Sequence, residues 1–115
     1  MEKINLNGRE FCLETNSKNG EVSYETVFRY SQDGELVTAE YGGGSIRHGR
    51  IVGRQTDEGN LDMVYHCMTT AGELKAGKAE AMVSLDRGRV RLDLRWEWLS
   101  GDRSSGTSSY VEIDD

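Results

Sequence analysis

Val90, Leu92, Leu94, Trp96 and Trp98 alternate without interruption with Arg89, Arg91, Asp93, Arg95 and Glu97. Side chains of a strand point alternately to its two faces, so this run has one apolar face and one charged face. A helix would scatter the same apolar groups around its circumference. The pattern predicts a long strand with one side against a core and the other in water. The same period-two reading picks out Phe11–Thr15, Val22–Tyr30, Leu36–Tyr41, Ser45–Thr56, Leu61–Thr69, Glu73–Leu85 and Thr107–Ile113 as further strands. Val22, Tyr24, Thr26, Phe28 and Tyr30 are expected to share an inner face. So are Val37, Ala39 and Tyr41, and likewise Leu61, Met63, Tyr65 and Cys67, opposite Asp62, Val64, His66 and Met68.

Glycine supplies the punctuation: there are 14 glycines and no proline. Asn16-Ser17-Lys18-Asn19-Gly20 predicts a loop ending in a tight reversal, and Asp33-Gly34 and Asp86-Arg87-Gly88 predict hairpin turns. Asp57–Asn60 and Thr70–Gly72 are also expected to turn, and Ser100–Gly106 to form a polar loop. Gly42-Gly43-Gly44 predicts a sharp bend or a close backbone approach, while Gly49 and Gly53 suggest a strand that must coil.

Eight strands joined in series by short turns make an antiparallel up-and-down meander. Pairing the first strand with the eighth removes both exposed edges, which predicts an all-β fold closed into a small calycin-like barrel. Such a barrel has room for packed side chains or for one small ligand. The alternative is a two-layer β-sandwich, although every connection is too local for a Greek key. The whole length, 1–115, is expected to form one domain around one core.

Composition agrees with a sheet buried on one face: 36% of residues are hydrophobic and 30% charged. The net charge of −6 disfavours nucleic acid and anionic membrane as partners, because both need a clustered positive field. Arginines do concentrate at Arg47, Arg50 and Arg54 and at Arg89, Arg91 and Arg95. Cross-strand pairing with acids is the expected reason, an anion-binding patch the alternative. The polar start and the lack of a membrane-length apolar run predict a cytoplasmic protein. Cys12 and Cys67 are then expected as buried free thiols, with a disulfide as the other possibility.

The stretch Tyr41-Gly42-Gly43-Gly44-Ser45-Ile46, with Gly49, Gly53, Leu61 and Tyr65, resembles a family of small bacterial proteins of about this length. Gly72, Gly77, Asp86-Arg87-Gly88 with Leu92, and Trp96-Glu97-Trp98 with Gly101, Asp102 and Gly106 extend the resemblance over nearly the whole chain. The family is uncharacterised and often carries the label "N-acetylglutamate synthase"; the resemblance implies a calycin- or avidin-type barrel. Acetyl-CoA-dependent transferases cradle pyrophosphate on free backbone N–H groups where a glycine-rich loop opens a helix. The nearest string here, Arg50-Ile51-Val52-Gly53-Arg54-Gln55, runs instead into the turn Asp57–Asn60. Synthase activity is therefore not expected.

Other chemistry is sparse. His48 and His66 are the only histidines and lack metal-ligand spacing with Cys12 or Cys67, so a surface or cross-strand role is expected and no metal site. No Ser-His-Asp order appears, and Gly42–Ser45 lacks the lysine and helix of a phosphate loop. The aromatic residues carry more signal. Tyr24, Tyr41, Tyr65, Trp96 and Trp98 are candidate walls of a ligand pocket, with Trp98 near the mouth beside Ser100–Gly106 and Trp96 deeper. Core filling is the competing reading, in which each indole N–H must find an internal acceptor. The functional expectation is a non-catalytic binder of a small, partly apolar molecule, with no cofactor. The alternative is a ligand-free barrel acting through its outer surface or as a homo-oligomer.

Overall fold

The structure is a computed structural model that describes residues 3–16, 22–101 and 103–113. The strands are β1 (Glu10–Asn16), β2 (Val27–Asp33), β3 (Leu36–Gly43), β4 (Ile46–Gln55), β5 (Leu61–Thr69), β6 (Leu74–Asp86), β7 (Arg89–Trp98) and β8 (Ser105–Glu112). Each pairs antiparallel with its neighbours in chain order, and β1 pairs with β8, for instance Leu13 with Tyr110, to close the barrel. This is the predicted meander, and closure excludes the sandwich.

The alternation in β7 sorts its residues as expected. Val90, Leu92, Leu94, Trp96 and Trp98 are buried, whereas Arg89, Arg95 and Glu97 are exposed and Arg91 and Asp93 half-buried. Outside, the arginines form cross-strand ion pairs: Arg50 with Glu40 (3.0 Å), Arg54 with Asp62 (3.3 Å) and Arg95 with Glu80 (3.1 Å). Arg91 links β7 to Glu14 of β1 at 2.6 Å, one strand beyond its hydrogen-bonded neighbour β8. Exposed pairs of this kind contribute little stability each, and their main effect is to keep the outer face wet. Cys67 is buried and Cys12 half-buried, and neither is in a disulfide.

Turn chemistry accounts for the hairpins. Gly34 has φ 62° at the first central position of the two-residue link between Asp33 and Leu36, as a type II′ turn needs. Arg87 and Gly88 both have positive φ (54° and 81°), the type I′ arrangement, between the paired Asp86 and Arg89. Gly43 and Gly44 sit tight against Ser23 and Glu25, where a Cβ on either would collide, so the triple glycine does mark a close approach. From Ser17 onward, the reversal expected at Asn16–Gly20 lies outside the described residues.

The second strand differs from expectation. It begins at Val27, not Val22, because Tyr24 and Glu25 form a turn closed by the Thr26 N–H donating to the Ser23 carbonyl (3.0 Å). The Thr26 hydroxyl donates to the Gly43 carbonyl (3.0 Å) and fastens the turn to the end of β3. The turn breaks the alternation, so Thr26, Phe28 and Tyr30 point inward while Tyr24 is 71% exposed. The eighth strand starts two residues earlier than expected, at Ser105.

One end of the barrel is sealed by the segment before β1. Leu6 is fully buried; its N–H donates to Gln32 Oε1 (2.8 Å), and Gln55 Nε2 donates to the Ile4 carbonyl (2.9 Å). Gln32 Nε2 in turn donates to Gln55 Oε1 (2.8 Å), so two side-chain amides on the barrel bind the backbone of the strap. A buried polar backbone group must be paired, and these glutamines meet that need where no strand neighbour exists.

Candidate functional site

The other end collects the aromatic residues. Tyr41 on β3 lies directly across from Gly49 on β4, and Tyr65 on β5 directly across from Gly77 on β6. A Cβ on either glycine would run into the facing tyrosine ring. These glycines are seats: each lets a ring lie flat against the barrel wall instead of standing into the centre. Phe28 stacks on Tyr41 with ring centres 4.7 Å apart, while Tyr65 meets Trp98 edge-on at 5.5 Å and Trp96 lies 5.9 Å from Trp98.

These rings leave a hollow of about 40 Å³, bounded also by Val22, Ile51, Met63, Leu94, Ser108 and Tyr110. No lining residue carries a charge at neutral pH. Burial raises the phenol pKa values of Tyr41 and Tyr65 well above the ordinary value, and pushes Tyr110 up to about 12 although a hydrogen bond with Ser108 opposes the shift. The phenols are therefore neutral hydroxyls. Tyr41 donates to the His66 carbonyl (3.2 Å), and Trp96 Nε1 donates to Ser108 Oγ (2.7 Å). The ammonium group of Lys75 sits 5.2 Å from the Trp98 ring centre, a cation–π contact at the outer lip.

Of the residues expected to wall a pocket, Tyr41, Tyr65, Trp96 and Trp98 come together around the hollow. Tyr24 does not, since the turn that precedes β2 holds it on the outside. Trp98 lies at the end of β7 beside the loop, its backbone N–H donating to the Ser104 carbonyl (2.8 Å), but is shielded almost as well as Trp96. It is 8% exposed against 6% for Trp96, because Trp96, Tyr65 and Lys75 pack about it. Phe28 joins them from its expected inner face, while Ser108 and Tyr110 were not among the expected walls. The signal for Ser108 and Tyr110 lay in the alternation of β8, which puts both on the inner face opposite Leu94 and Leu92.

The chain matches the family described as Avidin-like protein over residues 4–113. It belongs to that family. No curated protein and no solved structure matches it. Among the described residues the other candidate chemistries meet no matching geometry. Arg50–Gln55 lies inside β4, paired with β3 on one side and β5 on the other, so its backbone N–H groups are committed to ladders and cannot cradle a pyrophosphate. His48 and His66 both lie exposed on the outer wall, where His48 Nε2 accepts a hydrogen bond from Arg50 (3.3 Å). Among the described residues there is no group of three or more His, Cys, Asp or Glu placed to hold a metal ion.

Proposed function

We propose that this avidin-like barrel is a non-catalytic binder of a small, neutral, partly apolar molecule, held among Tyr41, Tyr65, Trp96 and Trp98. The observation that carries the reading is the hollow itself: aromatic walls with only uncharged polar groups among them, opposite a sealed end. Such a lining favours a ligand with flat apolar faces and one or two hydrogen-bonding atoms, and disfavours an ion, whose desolvation nothing inside would offset.

Size limits the reading. About 40 Å³ is room for about one or two water molecules, whereas ordinary ligand sites begin near ~300 Å³. A ligand of ordinary size must therefore displace part of the wall, of which Val22 is the one lining residue outside the strands. The same small volume favours a second reading, a filled barrel that works through its outer surface.

Two-dimensional NMR of the indole N–H signals separates the two. Titration with phenol, indole and similar neutral aromatics should shift the Trp96 and Trp98 signals and leave the N-terminal strap unchanged. Native mass spectrometry of freshly purified protein should also show a co-purified small molecule. No shift at millimolar probe and no added mass would sink the binding reading.

A further inference from the structure

The pairing of β4 with β5 is irregular at one step. Ile46 is paired with Thr69 and His48 with Met68, so Arg47 is an extra residue on β4. Ile46 and Gly49 are buried, while Arg47 and His48 between them are both exposed. A bulge of this kind re-aims a side chain. Regular alternation from Ile46 would turn His48 into the barrel; the bulge sets it on the outer face, directly across from Met68. Met68 shares that face with His66, two residues back on β5. The three form a triangle. Directly paired residues have Cβ atoms about 4.5–5.5 Å apart and diagonal neighbours about 7–8 Å, and residues two apart on one strand are separated by about 6.5 Å. We propose that His48, His66 and Met68 form a binding site for a soft monovalent metal ion, Cu(I).

The donor set decides the metal. Among the described residues the two histidines gain no third ligand from His, Cys, Asp or Glu. Cys67, between His66 and Met68, is buried on the inner face. The third donor is instead a thioether, a polarizable sulfur that suits Cu(I) and adds little for Zn(II), Mg(II) or Ca(II). Exposed Leu74, paired with Met68, and Ala76, paired with His66, line the same groove with hydrocarbon. Such walls favour a weakly hydrated ion over a strongly hydrated one. Charge points the same way. Arg47 and Arg50 flank His48 in sequence; Arg50 lies across from His66, donates through Nε to His48 Nε2 (3.3 Å) and is paired with Glu40 (3.0 Å). Guanidinium groups this close repel a divalent ion twice as strongly as a monovalent one. To release His48 Nε2, Arg50 has only to turn further towards the carboxylate it already holds. Lys75, which also lines the groove, keeps its ammonium group 5.2 Å from the Trp98 ring centre.

Anaerobic titration with Cu(I) against a chromogenic Cu(I) chelator tests the site. The full chain is used without an affinity tag and with Cys12→Ser and Cys67→Ala, which remove competing thiols. One equivalent should bind. Met68→Leu should weaken Cu(I) binding by about tenfold or more and leave the weaker Zn(II) binding unchanged, because only the soft ion uses the sulfur. His48→Gln and His66→Gln should weaken both ions. Arg50→Leu should tighten Cu(I) by about fivefold, the Coulomb effect of removing one nearby surface charge. These side chains all stand on the outer wall, so circular dichroism should stay the same in every variant. A chain that takes up no Cu(I) overturns the proposal, as does a Met68→Leu variant of undiminished Cu(I) affinity. Equal losses of Cu(I) and Zn(II) in Met68→Leu overturn it too, since the methionine would then shape the groove without being a ligand.

Discussion

The two ends of this barrel are built from different materials. The sealed end is largely aliphatic: Leu6, Val37, Leu61, Val90 and Leu92 are at most 1% exposed, with Phe11 against the edge of Tyr30. Branched side chains of moderate size interlock, and the space is filled. The other end is aromatic, with tyrosines seated on Gly49 and Gly77, and it keeps a hollow. There Tyr65 and Trp98 meet at 72° and Trp96 and Trp98 at 58°. The comparison teaches where a function can reside. A filled end contributes stability; an end whose packing is left incomplete retains polar groups and room for something else.

The largest test of this contrast is alkaline. Buried Tyr30, Tyr41 and Tyr110 and half-buried Tyr65 have pKa values raised above those of the unfolded chain, mainly by desolvation. Below pH ~10 both states hold the phenolic protons and stability does not depend on them. Above it the unfolded chain loses protons first, so stability falls by up to about 4–5 kcal/mol per pH unit, towards pH 12 where folded Tyr110 also begins to titrate. Urea unfolding at stepped pH should show this slope, reduced by about a quarter to a third in Tyr110→Phe.

Core truncation sharpens the contrast. Leu92→Ala in the filled end should cost towards the upper part of the ~2–5 kcal/mol range and Leu94→Ala, beside the hollow, towards the lower part. Chemical denaturation of the pair measures the difference, and a larger loss at Leu94 would contradict the account of two packings.

The glycine seats come next. Gly77→Ala drives a methyl group into the Tyr65 ring and towards the Glu97 carbonyl (2.7 Å), at an expected cost of ~1–3 kcal/mol and with an altered near-ultraviolet dichroism of Trp98. A Gly72→Ala control meets no neighbouring atom, so any loss there comes only from its φ of +85°. The smallest effect is expected outside, where Arg95→Ala should change stability by less than ~0.5 kcal/mol. A loss at Arg95 as large as at Leu92 would mean that the outer ion pairs, not the inner face, hold the sheet.

Strict alternation in β7, two-residue glycine turns and local connections were enough to determine an eight-strand closed meander, because strand period and turn geometry are properties of short segments. They also determined which face of each strand looks inward, and so brought Tyr41, Tyr65, Trp96 and Trp98 together. Tyr24 shows where that reasoning stops: residues 22–26 have strand-like spacing, yet the approach of Gly43 and Gly44 turns them into a corner. The strap was equally silent, since nothing local says that Gln32 and Gln55 will hold the backbone of Ile4 and Leu6. The purpose of Gly49 and Gly77 depended on register, which sets the ring opposite each glycine. Whether the aromatic end is open or filled was decided by how rings from β2, β3, β5, β7 and β8 pack together, a three-dimensional quantity that no single strand carries.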